Sequence, residues 1–111
     1  MFSLLRRSGT PEIDVEELDR LIEEGSVRIL DVREDHEFRR GHVAGATHIP
    51  LRSLPERVGG LTRDRRYAVI CQSGSRSCTA VDVLRDRGFE DAVSVRGGTG
   101  AWARSGRLLV R

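Results

Sequence analysis

The central stretch of the chain reads Tyr67-Ala68-Val69-Ile70-Cys71-Gln72-Ser73-Gly74-Ser75-Arg76-Ser77. Its first four residues are apolar and small polar residues follow them, which is typical of a strand buried on both faces. From Ser75 the apolar residues recur with helical spacing, and Gly88 stands where a left-handed residue would end a helix. The stretch therefore predicts a buried strand, a tight loop and a helix, with Cys71 where the strand ends.

The loop after Cys71 has small side chains before Arg76, so its backbone can curl with several N–H groups pointing inward. Such a curl of amides binds anions. The start of the following helix carries positive charge that stabilises a thiolate. A free cysteine often packs simply as a small hydrophobe. The spacing C-x4-R, with Gly74 inside it, instead favours a nucleophilic cysteine with a fixed cation beside it.

Arg76 would lie in the first turn of that helix, where the helix dipole disfavours a cation. A solvated surface arginine is one interpretation. The position is better explained if an anion occupies the space between the guanidinium and the helix terminus. Arg76 therefore adds support to an anion-binding site at this loop.

The chain contains two cysteines, Cys71 and Cys78, which cannot form a disulfide framework. A cytosolic setting would keep both reduced. Cys78 falls on the apolar face of the predicted helix. This position favours packing in the core over a role as a resolving thiol.

The length of 111 residues suits one domain with a single core. We expect residues 1–10 to form a flexible N-terminal segment and residues 11–111 to form the domain. No apolar stretch approaches the roughly 18 residues of a membrane span, and the first residues do not resemble a secretory signal. We therefore expect a cytoplasmic protein.

All 19 basic residues are arginine, and the formal net charge is only +2. Residues 92–111 contain four arginines and no acidic residue. A basic end can attract nucleic acid or an acidic partner. Scattered arginines without interleaved aromatic residues are more typical of a solvated surface, so we do not expect nucleic-acid binding.

Short strands alternate with helices along the whole chain. Asp14 is expected to cap a first helix that Gly25 ends, and a capping pattern at Ser53 predicts a third helix that ends at Gly59. The remaining predictions are strands at Ile13, 27–32, 46–50 and 92–95, a helix at 34–40, and a last helix from Ala101 after a Gly97-Gly98 turn. This alternation predicts βαβ units and a largely parallel sheet. Asp31 would lie at the carboxyl edge of that sheet, where ligands usually bind.

Three histidines, His36, His42 and His48, recur every six residues. Zinc ligands on one helix are three or four residues apart, so this spacing does not favour a metal site. We expect no metal. His42, within a glycine-rich loop, is instead expected to hydrogen-bond to loop backbone.

The segment 98–103 matches G-x-G-x-x-A between a predicted strand and a helix. The chain ends before an acidic residue about 20 positions further on could bind a ribose, and no second βαβ half follows. No cofactor is therefore expected. Trp102, near the start of the last helix, is expected in the core rather than as a ligand platform.

Several short motifs follow one another along the chain. They are Asp31-Val32-Arg33-Glu34 with Glu37-Phe38, Gly41-His42-Val43-Ala44-Gly45-Ala46 leading to Ile49-Pro50, the loop 71–77, Gly88-Phe89, and Gly97-Gly98 before Ala101-Trp102. In this order and spacing the chain resembles the rhodanese family over nearly its whole length. The resemblance implies a three-layer α/β/α fold with a mostly parallel five-stranded sheet. The ending departs from the family, because Gly106-Arg107-Leu108 stands where many relatives have a glycine-proline segment.

The resemblance also implies an activity, that of a rhodanese-type (thiosulfate) sulfurtransferase. Cys71 would be catalytic and would carry a sulfur atom as a persulfide, taken from a small anionic donor such as thiosulfate. Asp31 and Arg33 would support the loop, and Arg76 would bind the anionic oxygens of the donor. The substrate-binding residues would be Gln72, Ser73, Gly74, Ser75 and Arg76. The acceptor would be cyanide, a thiol, a protein sulfur acceptor or a thioredoxin-like reductant.

Two alternatives remain. Cysteine-dependent phosphatases and arsenate reductases share this architecture with a loop of spacing C-x5-R, and the four residues between Cys71 and Arg76 favour sulfur because phosphate needs a wider ring of donors. The second alternative is a non-catalytic rhodanese-like binding module. The presence of Cys71, Gly74 and Arg76 argues against it.

Overall fold

The computed structural model describes residues 9–111. Within them five parallel strands form one sheet: β1 Glu12–Ile13, β2 Val27–Asp31, β3 Thr47–His48, β4 Arg66–Ile70 and β5 Val93–Val95. Their order across the sheet is β1-β5-β4-β2-β3, so β4 lies at the centre between β5 and β2. Asp31 is in register with Ile70. The residues after β2 and β4 therefore meet at the same edge of the sheet.

Helices cover both faces of the sheet. They are α1 Val15–Glu24, α2 Asp35–Arg40, α3 Leu54–Arg57, α4 Ser75–Asp86 and α5 Gly98–Arg104. Apolar residues of α1 and α5 pack on one face, and those of α3 and α4 pack on the other. This three-layer α/β/α arrangement confirms the predicted fold class. Of the helices in residues 9–111, none has both the length and the apolar character needed to cross a membrane.

The central strand β4 is buried on both faces, as its sequence predicted. Tyr67 and Val69 pack toward α4, whereas Ala68 and Ile70 pack toward α1 and α5. Because alternate side chains enter different halves of the core, the strand is apolar at every one of these positions. Cys71 continues the alternation and its side chain points to the α4 side of the sheet.

Several of the residues predicted to begin or end helices are confirmed. The Asp14 carboxylate accepts a hydrogen bond from the Glu17 N–H (2.8 Å), and Gly25 ends α1 in a left-handed conformation (φ 70°). Gly88 follows α4 with φ 96°. These signals are readable from the sequence because each concerns backbone groups only a few residues away.

Other boundaries differ from the predictions. The third helix is only Leu54–Arg57 between two 3-10 turns, Leu51–Ser53 and Val58–Gly60. Ser53 makes no side-chain cap because its own backbone is already helical (ψ −9°). The last helix begins at Gly98 rather than at Ala101, since its first N–H groups find partners elsewhere in the fold.

The predicted strands at 27–32, 46–50 and 92–95 are each shorter than expected: they span Val27–Asp31, Thr47–His48 and Val93–Val95. Of the expected N-terminal segment, residues 1–8 lie outside the described residues. Thr10 is buried, and its hydroxyl lies 3.3 Å from an Asp82 carboxylate oxygen.

Candidate active site

The Cys71 sulfur lies inside a curl of backbone amides. The N–H of Gly74 donates to Sγ at 3.1 Å, and the N–H of Ser77 donates at 3.3 Å. Ser77 is in the first turn of α4, where N–H groups have no partner within the helix. Cys71 is 1% exposed. It therefore follows the central strand as a covered thiol that backbone donors face.

The curl depends on Gly74. This residue precedes α4 with φ 109°, a conformation that favours glycine. A Cβ at this position would also lie 3.3 Å from the Gly97 nitrogen. The small residue inside the C-x4-R motif is thus required both by the turn and by the neighbouring chain.

These contacts set the acidity of the thiol. Burial by itself would raise the pKa of Cys71. Hydrogen bonds from the Ser77 hydroxyl and from the backbone N–H groups of Ser77, Gly74 and Ser73 outweigh burial, and the pKa of Cys71 lies below its ordinary value. The site therefore stabilises the thiolate, the nucleophilic form, more than an ordinary cysteine environment does.

The Ser77 hydroxyl is a site group that the sequence reasoning did not assign. Its oxygen lies 3.5 Å from Cys71 Sγ, 3.1 Å from the Gly74 carbonyl oxygen and 2.7 Å from Ser94 Oγ. Both serines are fully buried. Ser94 stands on the neighbouring strand β5, which made its approach to α4 hard to foresee from the sequence.

The start of α5 holds the carbonyl side of the loop. The N–H of Thr99 donates to the Cys71 carbonyl at 2.8 Å, and that of Gly100 donates to the Gln72 carbonyl at 3.0 Å. The Thr99 hydroxyl also donates to the Gln72 side-chain oxygen (3.1 Å). The G-x-G-x-x-A segment thus brings helix N–H groups against the cysteine loop, a role that the sequence analysis did not assign to it.

The Arg76 guanidinium forms a two-bond pair with Glu37 of α2. Nη1 donates to Oε1 at 2.7 Å, and Nη2 donates to Oε2 at 3.0 Å. The same carboxylate accepts from the N–H of Glu34 and caps α2. The hydrogen bond from Arg76 lowers the pKa of Glu37 to about 2. Arg76 therefore stands beside the loop as predicted, but with a carboxylate partner that the sequence analysis did not consider.

Asp31 and Arg33 form a buried ion pair at the end of β2. Arg33 Nη2 donates to an Asp31 carboxylate oxygen at 2.8 Å and to the Gly41 carbonyl at 2.8 Å. Gly41 ends α2, the helix that carries Glu37. In the described structure the pair thus braces α2, the helix whose Glu37 binds Arg76 of the cysteine loop.

The other predicted loop residues are spread around the sulfur. Ser73 and Ser75 have exposed side chains on the outside of the curl. A pocket of about 480 Å³ lies against the loop on the Gln72 side. It is lined by Arg33, Glu37, Arg40, Gly41, Gln72, Thr99, Gly100, Ala103 and Leu109.

Two of the histidines brace α2 as well. His42 Nδ1 lies 2.9 Å from the Phe38 carbonyl, so its partner is backbone, but that of helix α2 and not of the loop as expected. His48 Nε2 lies 2.8 Å from the Arg33 carbonyl. The Phe38 ring is stacked between the two imidazoles, with centroid distances of 3.7 and 4.3 Å. Among residues 9–111 no group of three His, Cys, Asp or Glu residues is arranged to hold a metal ion.

Cys78 differs from its expected place in the core. It is only partly buried, and its sulfur lies 3.7 Å from both Ser94 Oγ and a Glu12 carboxylate oxygen. The residue faces β1 and β5 at the edge of the sheet, where polar groups replace the apolar contacts expected from the helix pattern.

An α/β sheet that presents a cysteine in a loop of amides, closed by an arginine, defines a recognisable class of protein. The family profile described as the rhodanese-like domain matches residues 14–105. The chain belongs to the rhodanese-like domain family.

Known proteins agree with this assignment. A sulfurtransferase from Allochromatium vinosum is 35% identical over 100 residues, which cover 89% of this chain and 94% of that protein. The thiosulfate sulfurtransferase GlpE of Shewanella oneidensis is 34% identical over 95 residues, covering 86% and 94%. The crystal structure of a rhodanese-related protein from Thermoplasma volcanium matches with a TM-score of 0.84 and 37% identity, covering 90% of this chain and 97% of that one.

Proposed function

We propose that this protein is a sulfurtransferase that carries a sulfane sulfur as a persulfide on Cys71. The observation that supports it best is the pair of N–H donors from Gly74 and Ser77 at 3.1 and 3.3 Å from the sulfur. Donors fixed before the reaction stabilise negative charge on sulfur without reorganisation. The related proteins named sulfurtransferases support the same proposal.

In the first step the Cys71 thiolate attacks the outer sulfur of a donor such as thiosulfate. A new S–S bond forms at Cys71 while the S–S bond of the donor breaks, and sulfite leaves with the electron pair. The charge that stays on the outer sulfur of the persulfide faces the loop amides of residues 72–76. In the second step a thiolate or cyanide attacks that outer sulfur, and Cys71 leaves as a thiolate.

Arg76 is proposed to bind the sulfonate oxygens of the donor. A guanidinium has five N–H groups, and Glu37 occupies one on Nη1 and one on Nη2. The side chain is 36% exposed, so the remaining N–H groups are accessible to a small anion. Glu37 then fixes the direction of the fork while leaving part of it free.

The acceptor is proposed to approach through the pocket beside Gln72. The cation Arg40 lines this pocket together with Arg33, whose charge is matched by Asp31. A thiol acceptor or a thioredoxin-like reductant suits this opening. The proposed setting is the cytoplasm, where such thiols stay reduced.

Mass spectrometry after treatment with thiosulfate tests the proposal. The wild-type chain and a Cys78→Ser variant should each gain the mass of one sulfur atom, and a reductant should remove it. Cys71→Ser should gain none. An adduct that persists in Cys71→Ser would overturn the assignment. Hydrolysis of an aryl phosphate faster than sulfur transfer from thiosulfate would instead favour a phosphatase.

A further inference from the structure

A continuous path of polar side chains joins the two cysteines. Cys71 Sγ lies 3.5 Å from Ser77 Oγ, Ser77 Oγ lies 2.7 Å from Ser94 Oγ, and Ser94 Oγ lies 3.7 Å from Cys78 Sγ. Sulfur is larger than oxygen, so its hydrogen bonds are longer. Ser77 and Ser94 are 0% exposed, and no solvent reaches the middle of the path.

The number of protons on this path decides its direction. Each hydroxyl has one proton and can also accept hydrogen bonds. A Cys71 thiolate has no proton to donate, so Ser77 must donate to it. The Gly74 carbonyl, 3.1 Å from Ser77 Oγ, competes for that single proton. The charge of the thiolate favours the sulfur over the neutral carbonyl, provided that Ser77 does not give its proton to Ser94 instead.

Ser94 decides whether the Ser77 proton is available to either acceptor. At 2.7 Å its hydroxyl forms the shortest contact of the path, and it can donate to Ser77 Oγ only while the Ser77 proton points elsewhere. Ser94 in turn needs a donor for its own oxygen, and the Cys78 thiol is in place at 3.7 Å. With Cys71 ionised, all three hydrogen bonds then run in one direction, from Cys78 to Cys71.

We propose that Ser94 and Cys78 are positioning residues that keep the Ser77 hydroxyl proton free for the Cys71 sulfur. The second thiol thereby acts as a donor at the far end of a relay instead of as a resolving cysteine. The inference rests on the proposed function in one respect, that Cys71 is the reacting thiol.

The surroundings of Cys78 suit a donor. Burial raises the pKa of the Cys78 thiol, and so does the nearby Glu12 carboxylate, which keeps the proton on sulfur near neutral pH. Glu12 is also a competing acceptor at 3.7 Å, but Arg96 Nε donates to its other oxygen at 3.3 Å, which partly neutralises the carboxylate and weakens this competition. At the other end of the path the charged groups are Arg76 and Glu37, which are paired with each other.

The test measures the pKa of Cys71 in chains where it is the single cysteine. Cys78→Ser keeps a hydroxyl donor at this position, whereas Cys78→Ala removes it. The pKa is read from the pH dependence of alkylation by iodoacetamide. We expect the pKa of Cys71 in Cys78→Ala to be about 0.5 higher than in Cys78→Ser, since the lost donor acts through two intervening groups.

A second comparison shows whether the groups act in series. Ser94→Ala in the Cys78→Ser background should raise the pKa of Cys71 by about 1 unit. With Ser94→Ala present, exchanging Ser for Ala at position 78 should have no further effect. If Ser94 and Cys78 only stabilised the fold, the effect of position 78 on the pKa of Cys71 would not depend on whether Ser94 is present. If Ser94→Ala does not fold, the comparison of Cys78→Ser with Cys78→Ala still tests the relay, because position 78 is partly exposed and tolerates substitution more readily.

Equal pKa values of Cys71 in Cys78→Ser and Cys78→Ala would overturn the relay. An effect of position 78 that persists in Ser94→Ala would overturn the order of its members. Neither readout requires sulfur transfer. Failure of the relay is therefore distinguishable from failure of the proposed function, which the persulfide adduct tests.

Discussion

Glu37 holds Arg76 by two hydrogen bonds, of 2.7 and 3.0 Å, between helices α2 and α4. The partners are 39 positions apart in the sequence. The pair joins the segment after β2 to the cysteine loop. Its stability is therefore expected to influence both folding and the orientation of the guanidinium.

Glu37→Gln should lower the free energy of unfolding at pH 7 by about 1 kcal/mol, a value discounted for the exposure of Arg76. The folded pKa of Glu37, about 2, lies below its ordinary value. The contribution is thus present above the unfolded pKa and is lost as the pH falls toward 2. Urea unfolding should show the difference between wild type and variant shrinking by roughly half or more at pH 3. A constant difference would contradict this, and the exposed Glu23→Gln serves as the control.

Arg76→Lys should raise the KM for thiosulfate by about tenfold. Lysine keeps the charge but cannot form the planar fork that a sulfonate and Glu37 share. Steady-state kinetics with cyanide as acceptor measure this. Arg52→Lys is a matched control, because Arg52 also pairs with a glutamate, Glu34, but at an exposed site. A lower kcat with unchanged KM would assign Arg76 to shaping the loop and not to donor binding.

Arg33→Met should lower the free energy of unfolding by about 3 kcal/mol, because it leaves the Asp31 carboxylate buried without its partner. The double variant Asp31→Leu/Arg33→Met should lose less than the sum of the two single variants. Urea unfolding measures all three. Arg28→Met, which breaks the exposed pair with Asp64, should change little. Additive losses at Asp31 and Arg33 would show that the pair is not a unit.

Gly98→Ala should separate α5 from the cysteine loop. A Cβ there would lie 2.1 Å from the Cys71 carbonyl oxygen. We expect a loss of about 3 kcal/mol in the free energy of unfolding and a marked fall in sulfur transfer. Gly25→Ala has a similar φ but open space around it, so it should cost only about 1 kcal/mol. Equal losses in the two variants would attribute the effect to backbone strain alone.

The fold and the centre of the site are largely readable from the sequence. Strand β4, the helix after it and the caps at Asp14 and Gly25 depend on neighbours in the chain, and these predictions are confirmed. The amide curl around Cys71 is equally local, because it needs only small side chains and Gly74.

The parts that the sequence did not reveal join distant segments. Glu37 reaches Arg76, and Ser94 reaches Ser77, from other elements of the sheet and helices. Single side chains of these types are common on any surface, so nothing in their local pattern marks them as partners. Gly98 is the exception: its glycine-rich setting between a strand and a helix signals a close approach of backbone, although not which backbone.

The attachment of α5 to the carbonyls of Cys71 and Gln72 has an optical consequence. Trp102, the single tryptophan of the chain, lies on this helix one turn beyond those attachments, with its indole N–H donating to the Leu108 carbonyl. Loading and unloading of sulfur should therefore be visible as a change in intrinsic fluorescence, without any added dye. The single indole would thus serve as an internal probe of the proposed persulfide.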